Sequence, residues 1–563
     1  MNGKRVIASA LIIALGVMAL AGCKKEVDSQ GRSLYKIEVY TQLGNYAGMQ
    51  VGWFAKIIKD KFNIEMNIIP TADGVFQTRM ASGRLGDLVL FGNNGAEYRD
   101  AIEAGMLLDW NQGDLLEKHG ADIQRNVRRA LQHNSEVFGG GTKVYGFGFD
   151  VSSSELLTDA AFYHPDIRFD LYQQIGCPKI PDLMSYLDVL KQMVAIAPTS
   201  DSGFPSYAFS LFKDWDGDLV MSVKCMGAFY GYDEFGFTLY NAKTNTVHPV
   251  LDPDSIYIQG LRFFNKAHQM GILDPDSATQ TFSDVVEKYA DGRVYWSLFS
   301  WLGPSNYNTS ERLAQGKGMF AVAAEDQQNI MYGTSIYGKE RVWAIGSKAK
   351  FPERIMELIN WLCTPEGIMT NLWGPQGVTW DYDSDNKAYL TPLGIEIQDG
   401  NKKVEMPMPA GGGQYMDGEP KMTLTTFTMN DINPITGERY NKDFWTSELK
   451  REANPARRAW QEWAGALTED EYLEKNNYRT LVVASDYVAD RREGDLEQKH
   501  MQVSNAIKNA SWRAIYAAND LEFDRIVREM TAQAKGFGYD ECIAWDMRQG
   551  EIRAAAVRKA LGK

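Results

Sequence analysis

The sequence YKIEVY at residues 35–40 alternates apolar and polar side chains, which is the pattern of a β-strand with one buried face. The loop GNYAG at residues 44–48 and a helix-period run at residues 51–62 follow, and residues 64–69 predict a second strand. This order of strand, loop, helix and strand is the building unit of a parallel sheet, whose ligand-binding loops follow the carboxyl ends of the strands. The stretch therefore predicts that the chain begins with an α/β lobe.

The same pattern repeats immediately along the chain. Residues 75–81 have the spacing of a helix, SGRLG at residues 82–86 forms a turn, and DLVLF at residues 87–91 predicts a buried strand. Two consecutive units of this kind predict a doubly wound lobe, which has helices on both faces of its sheet.

The segment MASGRLGDLV at residues 80–89 is similar to a turn of the extracellular solute-binding proteins that supply carbohydrate ABC importers, in the large subgroup of their family 1. Gly86 stands where that family usually has proline. Similar segments follow at residues 143–149, 291–304 and 364–380. The resemblance implies a type II periplasmic-binding-protein-like α/β fold, in which two lobes with doubly wound sheets are joined by hinge crossings and followed by C-terminal helices.

The resemblance also implies a division of the chain. After a signal peptide and a polar tether, the chain crosses from the first lobe to the second and back, and its C-terminal part packs on the second lobe. The predicted segments are residues 1–22 (signal peptide), 23–33 (tether), 34–147 (first lobe), 148–332 (second lobe), 333–377 (return to the first lobe) and 378–563 (hairpin, insertion and C-terminal helices).

The N-terminal segment has the layout of a secretory signal peptide. Lys4 and Arg5 give it a charged start, and the apolar run that continues to Ala21 is shorter than the ~20 apolar residues of a membrane span. The motif LAGC at residues 20–23 resembles the bacterial lipoprotein signal, in which the cysteine is lipidated and becomes the mature N-terminus. The sequence therefore predicts lipidation of Cys23 and a domain held on the outer face of the bacterial cytoplasmic membrane. An ordinary signal peptide is the alternative.

The composition is that of a folded protein. The 563 residues are 44% hydrophobic and 23% charged, and the net charge of −14 opposes binding to nucleic acid. The five cysteines form no C-x-x-C pair and the six histidines no H-E-x-x-H motif, so the sequence predicts no metal, no cofactor and no catalytic residue. The 14 Trp, 27 Tyr and 25 Phe residues supply flat apolar surface of the kind that packs on sugar rings.

The candidate ligand-binding residues lie at predicted strand ends and in aromatic loops. A sugar offers hydroxyl groups to polar side chains and a C–H face to aromatic rings, and the closure of two lobes removes water from it. The candidates are Asn45, Tyr46, Asp87, Asn93, Trp215, Asp216, Trp301, Glu325, Asp326 and Trp380.

Several of these segments have more than one interpretation. DWDGD at residues 214–218 predicts a solvated loop, a calcium loop or a sugar-facing loop, and Trp301 predicts either a cleft residue or a core residue. The acids of residues 381–385 favour a polar hairpin tip over a calcium site, because Pro392 stands where a calcium loop has its last ligand.

The sequence thus predicts a monomeric, membrane-anchored, extracellular solute-binding protein. We expect it to capture a sugar or oligosaccharide between its lobes and to deliver this ligand to the permease subunits of an ABC importer. It predicts no enzyme, since no nucleophile elbow, catalytic triad or metal motif occurs in the sequence. The alternatives are a ligand-sensing lipoprotein without a transport role and an anchored glycan-processing enzyme that uses paired carboxylates.

Overall fold

The computed structural model describes residues 27–29, 31–72, 74–154, 161–451 and 453–561. The predicted signal peptide and the predicted lipidation site Cys23 lie outside the described residues. Within these ranges, no helix has both the length and the apolar character that a membrane span requires.

The first lobe begins with the unit that the sequence predicts. Trp53, Phe54 and Ile58 lie on the buried face of its first helix, which ends at Asn63 in a left-handed conformation (φ 49°) that suits asparagine. The strands of residues 35–148 are β1 (Tyr35–Thr41), β2 (Gly48–Met49), β3 (Ile64–Pro70), β4 (Leu88–Phe91) and β5 (Phe147–Gly148). The helices are α1 (Gly52–Phe62), α2 (Val75–Ser82), α3 (Ala96–Glu103), α4 (Leu115–His119), α5 (Ala121–Asn126) and α6 (Arg128–Phe138), with a 3-10 helix at Gln112–Asp114.

The first part of the second lobe occupies residues 166–332. Its strands are β6 (Asp166–Arg168), β7 (Tyr232–Phe235), β8 (Thr238–Asn241), β9 (Thr246–Pro249), β10 (Trp296–Ser297), β11 (Met319–Ala321) and β12 (Asn329–Tyr332). Its helices are α7 (Phe169–Gln174), α8 (Ser185–Ile196), α9 (Met221–Ala228), α10 (Ile256–Gln269), α11 (Phe282–Ala290), α12 (Gly303–Tyr307) and α13 (Ser310–Ala314), with a 3-10 helix at Pro275–Ala278.

The remaining elements complete both lobes. The strands are β13 (Val342–Ile345), β14 (Trp380–Tyr382), β15 (Ala388–Leu390) and β16 (Arg479–Val482). The helices are α14 (Pro352–Leu362), α15 (Pro365–Trp373), α16 (Pro392–Gln398), α17 (Tyr415–Gly418), α18 (Thr446–Leu449), α19 (Pro455–Ala464), α20 (Glu469–Lys475), α21 (Leu496–Ile515), α22 (Asp520–Gly536) and α23 (Tyr539–Ala560), with 3-10 helices at Met408–Ala410 and Lys442–Phe444.

The first lobe has a six-stranded sheet in the order β2-β3-β1-β4-β13-β5. Strand β1 runs parallel to β3 and β4, and β13 returns antiparallel to β4. Successive residues of β4 enter different cores, because Leu88 and Leu90 pack on one face of the sheet and Val89 and Phe91 on the other. Both faces are therefore covered, and the doubly wound first lobe is confirmed.

The second lobe has its own hydrophobic core, to which helices contribute more than the sheet. Strand β6 is antiparallel to both β10 and β11, and single parallel bridges at Tyr207–Val294 and Phe209–Leu273 extend this sheet. These three strands are two or three residues long, so the sheet is smaller than the doubly wound sheet expected for this lobe. Side chains of α8, α10, α21 and α22 fill much of the core in its place.

The chain stays on the first lobe longer than expected. Trp380 and Trp445 are buried in the first-lobe core, whereas Trp460 and Ile507 are buried in the second-lobe core. The segment of residues 378–449 therefore packs on the first lobe, and the C-terminal part packs on the second lobe only from α19 onward. The expected transfer at residue 378 is corrected to the connection between α18 and α19, because aromatic side chains at these positions fit either core by type.

The described elements place three passages between the lobes: between β5 and β6, between β12 and β13, and between α18 and α19. The first two passages lie side by side, since Ser152 N donates a hydrogen bond to Ser335 O (2.9 Å). Val151 binds these crossings to a segment of the first lobe, because its N–H donates to Thr426 O (3.0 Å) and its carbonyl accepts from Thr428 N (3.1 Å). These backbone bonds around Val151 form the hinge.

Asp87 is a structural residue of the first lobe. Its carboxylate accepts hydrogen bonds from Glu38 N (2.9 Å), Tyr35 Oη (3.1 Å) and Arg84 Nη2 (2.9 Å). Its side chain is 1% exposed and lies at the amino end of β4, opposite the edge from which ligand-binding loops emerge. This placement corrects the prediction that Asp87 contacts a ligand.

We expect Asp87→Ala to lower the free energy of unfolding of the first lobe by about 2–4 kcal/mol, because it leaves the Tyr35 hydroxyl, the Glu38 N–H and the Arg84 guanidinium without their acceptor. Urea unfolding followed by tryptophan fluorescence measures this loss. The control is Asp385→Ala at the exposed tip of the β14–β15 hairpin, which we expect to change stability by less than ~0.5 kcal/mol. Equal effects of the two substitutions would contradict the structural role of Asp87.

Candidate functional site

The first-lobe wall of the candidate site is the edge where β1 and β4 end. These parallel neighbours place the loops after Thr41 and Phe91 side by side. Gln42 joins the two loops, because its Oε1 accepts a hydrogen bond from Gly92 N (2.7 Å) and its Nε2 donates to Glu97. The sequence analysis missed Gln42, since only the pairing of β1 with β4 shows what this side chain connects.

Three of the predicted residues lie on this wall. Asn45 and Asn93 are exposed in the two loops, and Asn93 Oδ1 accepts a hydrogen bond from Gly95 N (2.8 Å). Tyr46 is half-buried, and Lys421 Nζ lies 5.6 Å from the centre of its ring. Burial lowers the pKa of Lys421. The structure thus brings Asn45, Tyr46 and Asn93 to one edge of the first sheet, and their contact with a ligand stays a prediction.

The second lobe presents a cluster of four aromatic side chains, which we call the aromatic platform: Trp215, Phe282, Phe299 and Trp301. The ring centres of Trp215 lie 4.4 Å from Phe282 and 5.7 Å from Trp301. Phe299 stacks on Trp301 at 4.9 Å with an interplanar angle of 18°. Trp301 is 38% exposed, so the platform is open to solvent at this ring. The structure therefore joins two predicted residues, Trp215 and Trp301, in one surface.

A row of rings connects the aromatic platform to the hinge. Tyr163 lies 5.6 Å from Phe299 and 6.0 Å from Tyr332, measured between ring centres. Lys339 Nζ follows at 5.9 Å from the ring of Tyr332 and 5.6 Å from the ring of Phe149. Phe149 and Lys339 belong to the two adjacent crossings, so the platform lies on the side of the second lobe that continues from the hinge.

The acidic loop of residues 214–218 supports the platform from behind. Asp214 Oδ2 accepts a hydrogen bond from Phe282 N (2.7 Å). Asp216 uses both carboxylate oxygens, since Oδ1 accepts from Met221 N and Oδ2 from Trp512 Nε1, each at 2.8 Å. Burial raises the pKa of Asp216. The carboxylates of Asp214 and Asp216 are thus engaged with the protein itself, and the ring of Trp215 is the part of the loop that belongs to the platform.

Glu325 and Asp326 have partners on a different part of the second lobe. Glu325 Oε1 lies 3.5 Å from Lys179 Nζ, and Asp326 Oδ1 accepts a hydrogen bond from Tyr230 Oη (3.1 Å). Burial raises the pKa of Asp326. These contacts do not include any residue of the aromatic platform, so the structure does not bring Glu325 and Asp326 together with Trp215 and Trp301.

Trp380 is a core residue. It is fully buried in the first-lobe core, and its Nε1 donates a hydrogen bond to Gly374 O (2.7 Å). A ring with no exposed surface cannot cover a sugar, so this burial corrects the prediction that Trp380 contacts the ligand. The prediction for Trp380 rests on residue type alone, because the sequence does not show which face of the hairpin packs on the core.

A cavity of about 460 Å³ lies between the lobes next to the turn that carries Trp301. Ser300 and Pro304 line it from the second lobe, and Asp399 and Lys402 line it from the first-lobe segment. This size is within the range of small-molecule sites, and the mixed polar lining suits a ligand with many hydroxyl groups. The sequence analysis missed this wall, because residues 396–480 have no clear periodicity.

Arg491 connects the two lobes beside the candidate site. Its guanidinium lies 2.5 Å from Asp100 Oδ1 and 3.6 Å from Glu103 Oε2, both on α3 of the first lobe. The loop that carries Arg491 is held on the second lobe, where Asp490 N donates a hydrogen bond to Gln549 Oε1 (3.1 Å). The ion pair therefore joins the lobes at α3, the helix that follows the loop of Asn93.

Comparison with solved structures gives matches over nearly the whole chain. The ABC-transporter substrate-binding protein FusA of Streptococcus pneumoniae, in complex with kestose, is 14% identical with a TM-score of 0.58, over 93% of this chain and 100% of its own. The chain has the two-lobe fold of solute-binding proteins. The alginate-binding protein AlgQ2 is 13% identical with a TM-score of 0.57, over 92% of this chain and 98% of its own.

A third structure extends this likeness. The N-glycan transport solute-binding protein NgtS of Streptococcus pneumoniae, in complex with Man5GlcNAc, is 15% identical with a TM-score of 0.51, over 92% of this chain and 99% of its own. No protein-family model and no curated protein matches the sequence. The structural likeness confirms the fold class that the sequence predicts.

We expect Arg491→Ala to shift the ligand-free protein toward an open arrangement of its lobes. An exposed ion pair contributes up to about 1 kcal/mol, so the ratio of open to closed molecules should rise by up to roughly fivefold. Small-angle X-ray scattering at low salt measures this shift as a larger radius of gyration. The control is Arg525→Ala, which removes an ion pair with Glu529 inside α22 and should leave the scattering unchanged. An unchanged radius for Arg491→Ala would contradict this role.

Proposed function

We propose that this protein captures a sugar or oligosaccharide in the cleft between its lobes and delivers it to the permease of an ABC importer. The observation that carries the proposal is the aromatic platform, which is open to solvent at Trp301 and continues along Tyr163 and Tyr332 to the hinge. Aromatic rings cover the C–H faces of sugar rings, and a hinged cleft encloses such a ligand. The carbohydrate ligands in the structures of FusA and NgtS support the same class of ligand.

In this proposal the two walls have different tasks. The aromatic platform takes the apolar face of the sugar, and the first-lobe loops with Asn45, Tyr46 and Asn93 take its hydroxyl groups. Rotation about the hinge brings the walls together and excludes water, which strengthens each hydrogen bond to the ligand. A net binding free energy of about −8 kcal/mol gives micromolar affinity, so a few contacts of this kind suffice.

The proposed lipid anchor determines where the protein binds its ligand. In our proposal Cys23 carries the lipid, and the protein stays on the outer face of the cytoplasmic membrane, where the tether of residues 23–33 keeps it close to the permease. Two or more acyl chains hold a protein on a bilayer durably. Confinement near the permease raises the effective concentration of loaded receptor.

Binding without turnover is the form of the function that we propose. A glycan-processing enzyme needs two carboxylates on opposite sides of the bond that it breaks, separated by about 5–9.5 Å. The paired acids of this chain that could fill such a role have other partners. Asp214 accepts from a backbone N–H, Asp216 accepts from a backbone N–H and from Trp512, and Glu325 faces Lys179. A sensing lipoprotein is the second candidate, and the presence or absence of permease genes next to the gene of this protein distinguishes it from the first.

We expect Trp301→Ala to weaken sugar binding about tenfold, because a stacked aromatic ring contributes roughly 0.5–1.5 kcal/mol beyond the area that it buries. Isothermal titration calorimetry on a panel of fructo-, manno- and alginate oligosaccharides identifies the ligand and measures the loss. The matched control is Phe537→Ala, since Phe537 is exposed to a similar extent (40%) between the terminal helices. Chromatography of the same samples should detect no shortened sugar. Equal affinity of Trp301→Ala and wild type, or the release of products, would contradict the proposal.

We expect metabolic labelling with a fatty acid to mark the wild-type protein and not Cys23→Ala. Only Cys23 lies next to the predicted cleavage site, because the other four cysteines lie at positions 177, 225, 363 and 542. The control is Cys177→Ala, which should keep the label. Label in Cys23→Ala would show that the protein is anchored at another position.

A further inference from the structure

The second lobe contains a group of metal-ligating side chains that are not part of the aromatic platform. His164 and Asp166 lie on the segment that enters the central strand β6, and Glu469 is the first residue of α20. Asp166 pairs with Ser297 and Ala321 on the neighbouring strands, and Ala321 N donates a hydrogen bond to Glu469 Oε1 (3.3 Å). The group therefore lies where α20 meets the middle of the second-lobe sheet.

The three side chains direct their ligand atoms at one another. His164 Nδ1 lies 3.4 Å from Asp166 Oδ2, and His164 Nε2 lies 3.8 Å from Glu469 Oε2. One nitrogen of His164 and one oxygen of each carboxylate all lie within 4.8 Å of one another. Small side-chain movements would bring all three to the 2.0–2.2 Å that a zinc-class ion requires.

The carboxylate of Asp166 has no other partner among the described residues. Its side chain is 0% exposed, and neither of its oxygens accepts a hydrogen bond within the part of the chain that the structure describes; His164 Nδ1 is also unpaired there. A buried carboxylate without a partner is costly, and the same lobe avoids this cost elsewhere. Asp274, for example, is equally buried, and its carboxylate accepts from Ser210 Oγ (2.6 Å) and Lys288 Nζ (2.7 Å).

The charge of the group is a further observation. Among the described residues, no lysine or arginine forms an ion pair with Asp166 or Glu469. His164 would ligate the ion as a neutral imidazole.

We propose that His164, Asp166 and Glu469 form a binding site for one divalent transition-metal ion of the zinc class. One imidazole nitrogen with two carboxylates is a donor set of zinc sites, whereas calcium and magnesium prefer oxygen ligands alone. Glu469 and Thr468 also line the cavity of about 460 Å³, which gives the ion a path of entry and leaves room for a water as fourth ligand. The sequence predicted no metal, because His164 and Glu469 are separated by about 300 residues and form no motif.

The bound ion would join two parts of the second lobe that are distant in the chain. Strand β6 is the centre of the sheet, and α20 leads to β16, which pairs with β12. The site therefore has a structural task that does not depend on the identity of the sugar.

The test uses the full-length mature protein without a histidine tag, stripped of metal by a chelator and dialysed. Bound metal is quantified after equilibrium dialysis against ZnCl₂, and against CaCl₂ and MgCl₂ in parallel. We expect one zinc ion per chain, an increase of Tm with zinc, and neither effect with calcium or magnesium.

Glu469→Gln is the decisive variant, because Glu469 is partly exposed and its replacement keeps the size of the side chain. We expect its zinc affinity to fall at least about tenfold, and its Tm no longer to respond to zinc. His164→Gln should behave in the same way. The matched control is Glu474→Gln in the same helix, whose carboxylate pairs with Arg479 and which should bind zinc as the wild type does. Absence of zinc binding, or zinc binding that survives Glu469→Gln, would overturn the site.

Discussion

The backbone bonds around Val151 are the constraint on which the two-lobe arrangement depends. The N–H and the carbonyl of Val151 both bond to the segment of residues 426–428, and the next N–H bonds to Ser335. Asp431 reinforces this point by accepting hydrogen bonds from Ser153 N (2.6 Å) and Ser153 Oγ (2.8 Å). The lobes are thereby joined at one edge, and this edge is where the rotation in our proposal would take place.

The arrangement of the aromatic platform follows from this constraint. Polar contacts hold its rings in place, since Asp214 bonds to the start of α11 and Asp216 joins α9 to Trp512 of α21. These contacts set the ring positions before any ligand arrives, so little side-chain entropy is lost on binding. Asp216 uses both of its carboxylate oxygens in these contacts, so we expect most of the direct hydrogen bonds to a ligand to come from the loops of the first lobe.

Local patterns in the sequence predicted individual helices and strands better than they predicted the contacts between these elements. The alternation of residues 35–40 and the helical spacing of residues 51–62 were sufficient for β1 and α1, because both depend on short-range periodicity. The turn predicted before β4 is also present, but the sequence pattern did not show that Asp87 lies at the buried end of the strand. The aromatic platform combines residues from three separate segments, 215, 282 and 299–301, so only the tertiary structure shows that they form one surface.

Trp380 and Asp166 show opposite limits of inference from residue type. Tryptophan occurs both in protein cores and in sugar-binding clefts, so residue type alone could not distinguish the buried Trp380 from the partly exposed Trp301. Aspartate side chains are usually exposed to solvent. The burial of Asp166 in the centre of a sheet therefore indicates a special role, which its sequence context does not show. Removal of a carboxylate from water costs several kcal/mol. Since none of the described residues gives Asp166 a cationic partner, its carboxylate requires a compensating charge or a proton. The imidazole of His164 and the second carboxylate of Glu469 lie at the same point and form, with Asp166, a set of metal-ligating groups, so our proposal assigns the compensating charge to a metal ion.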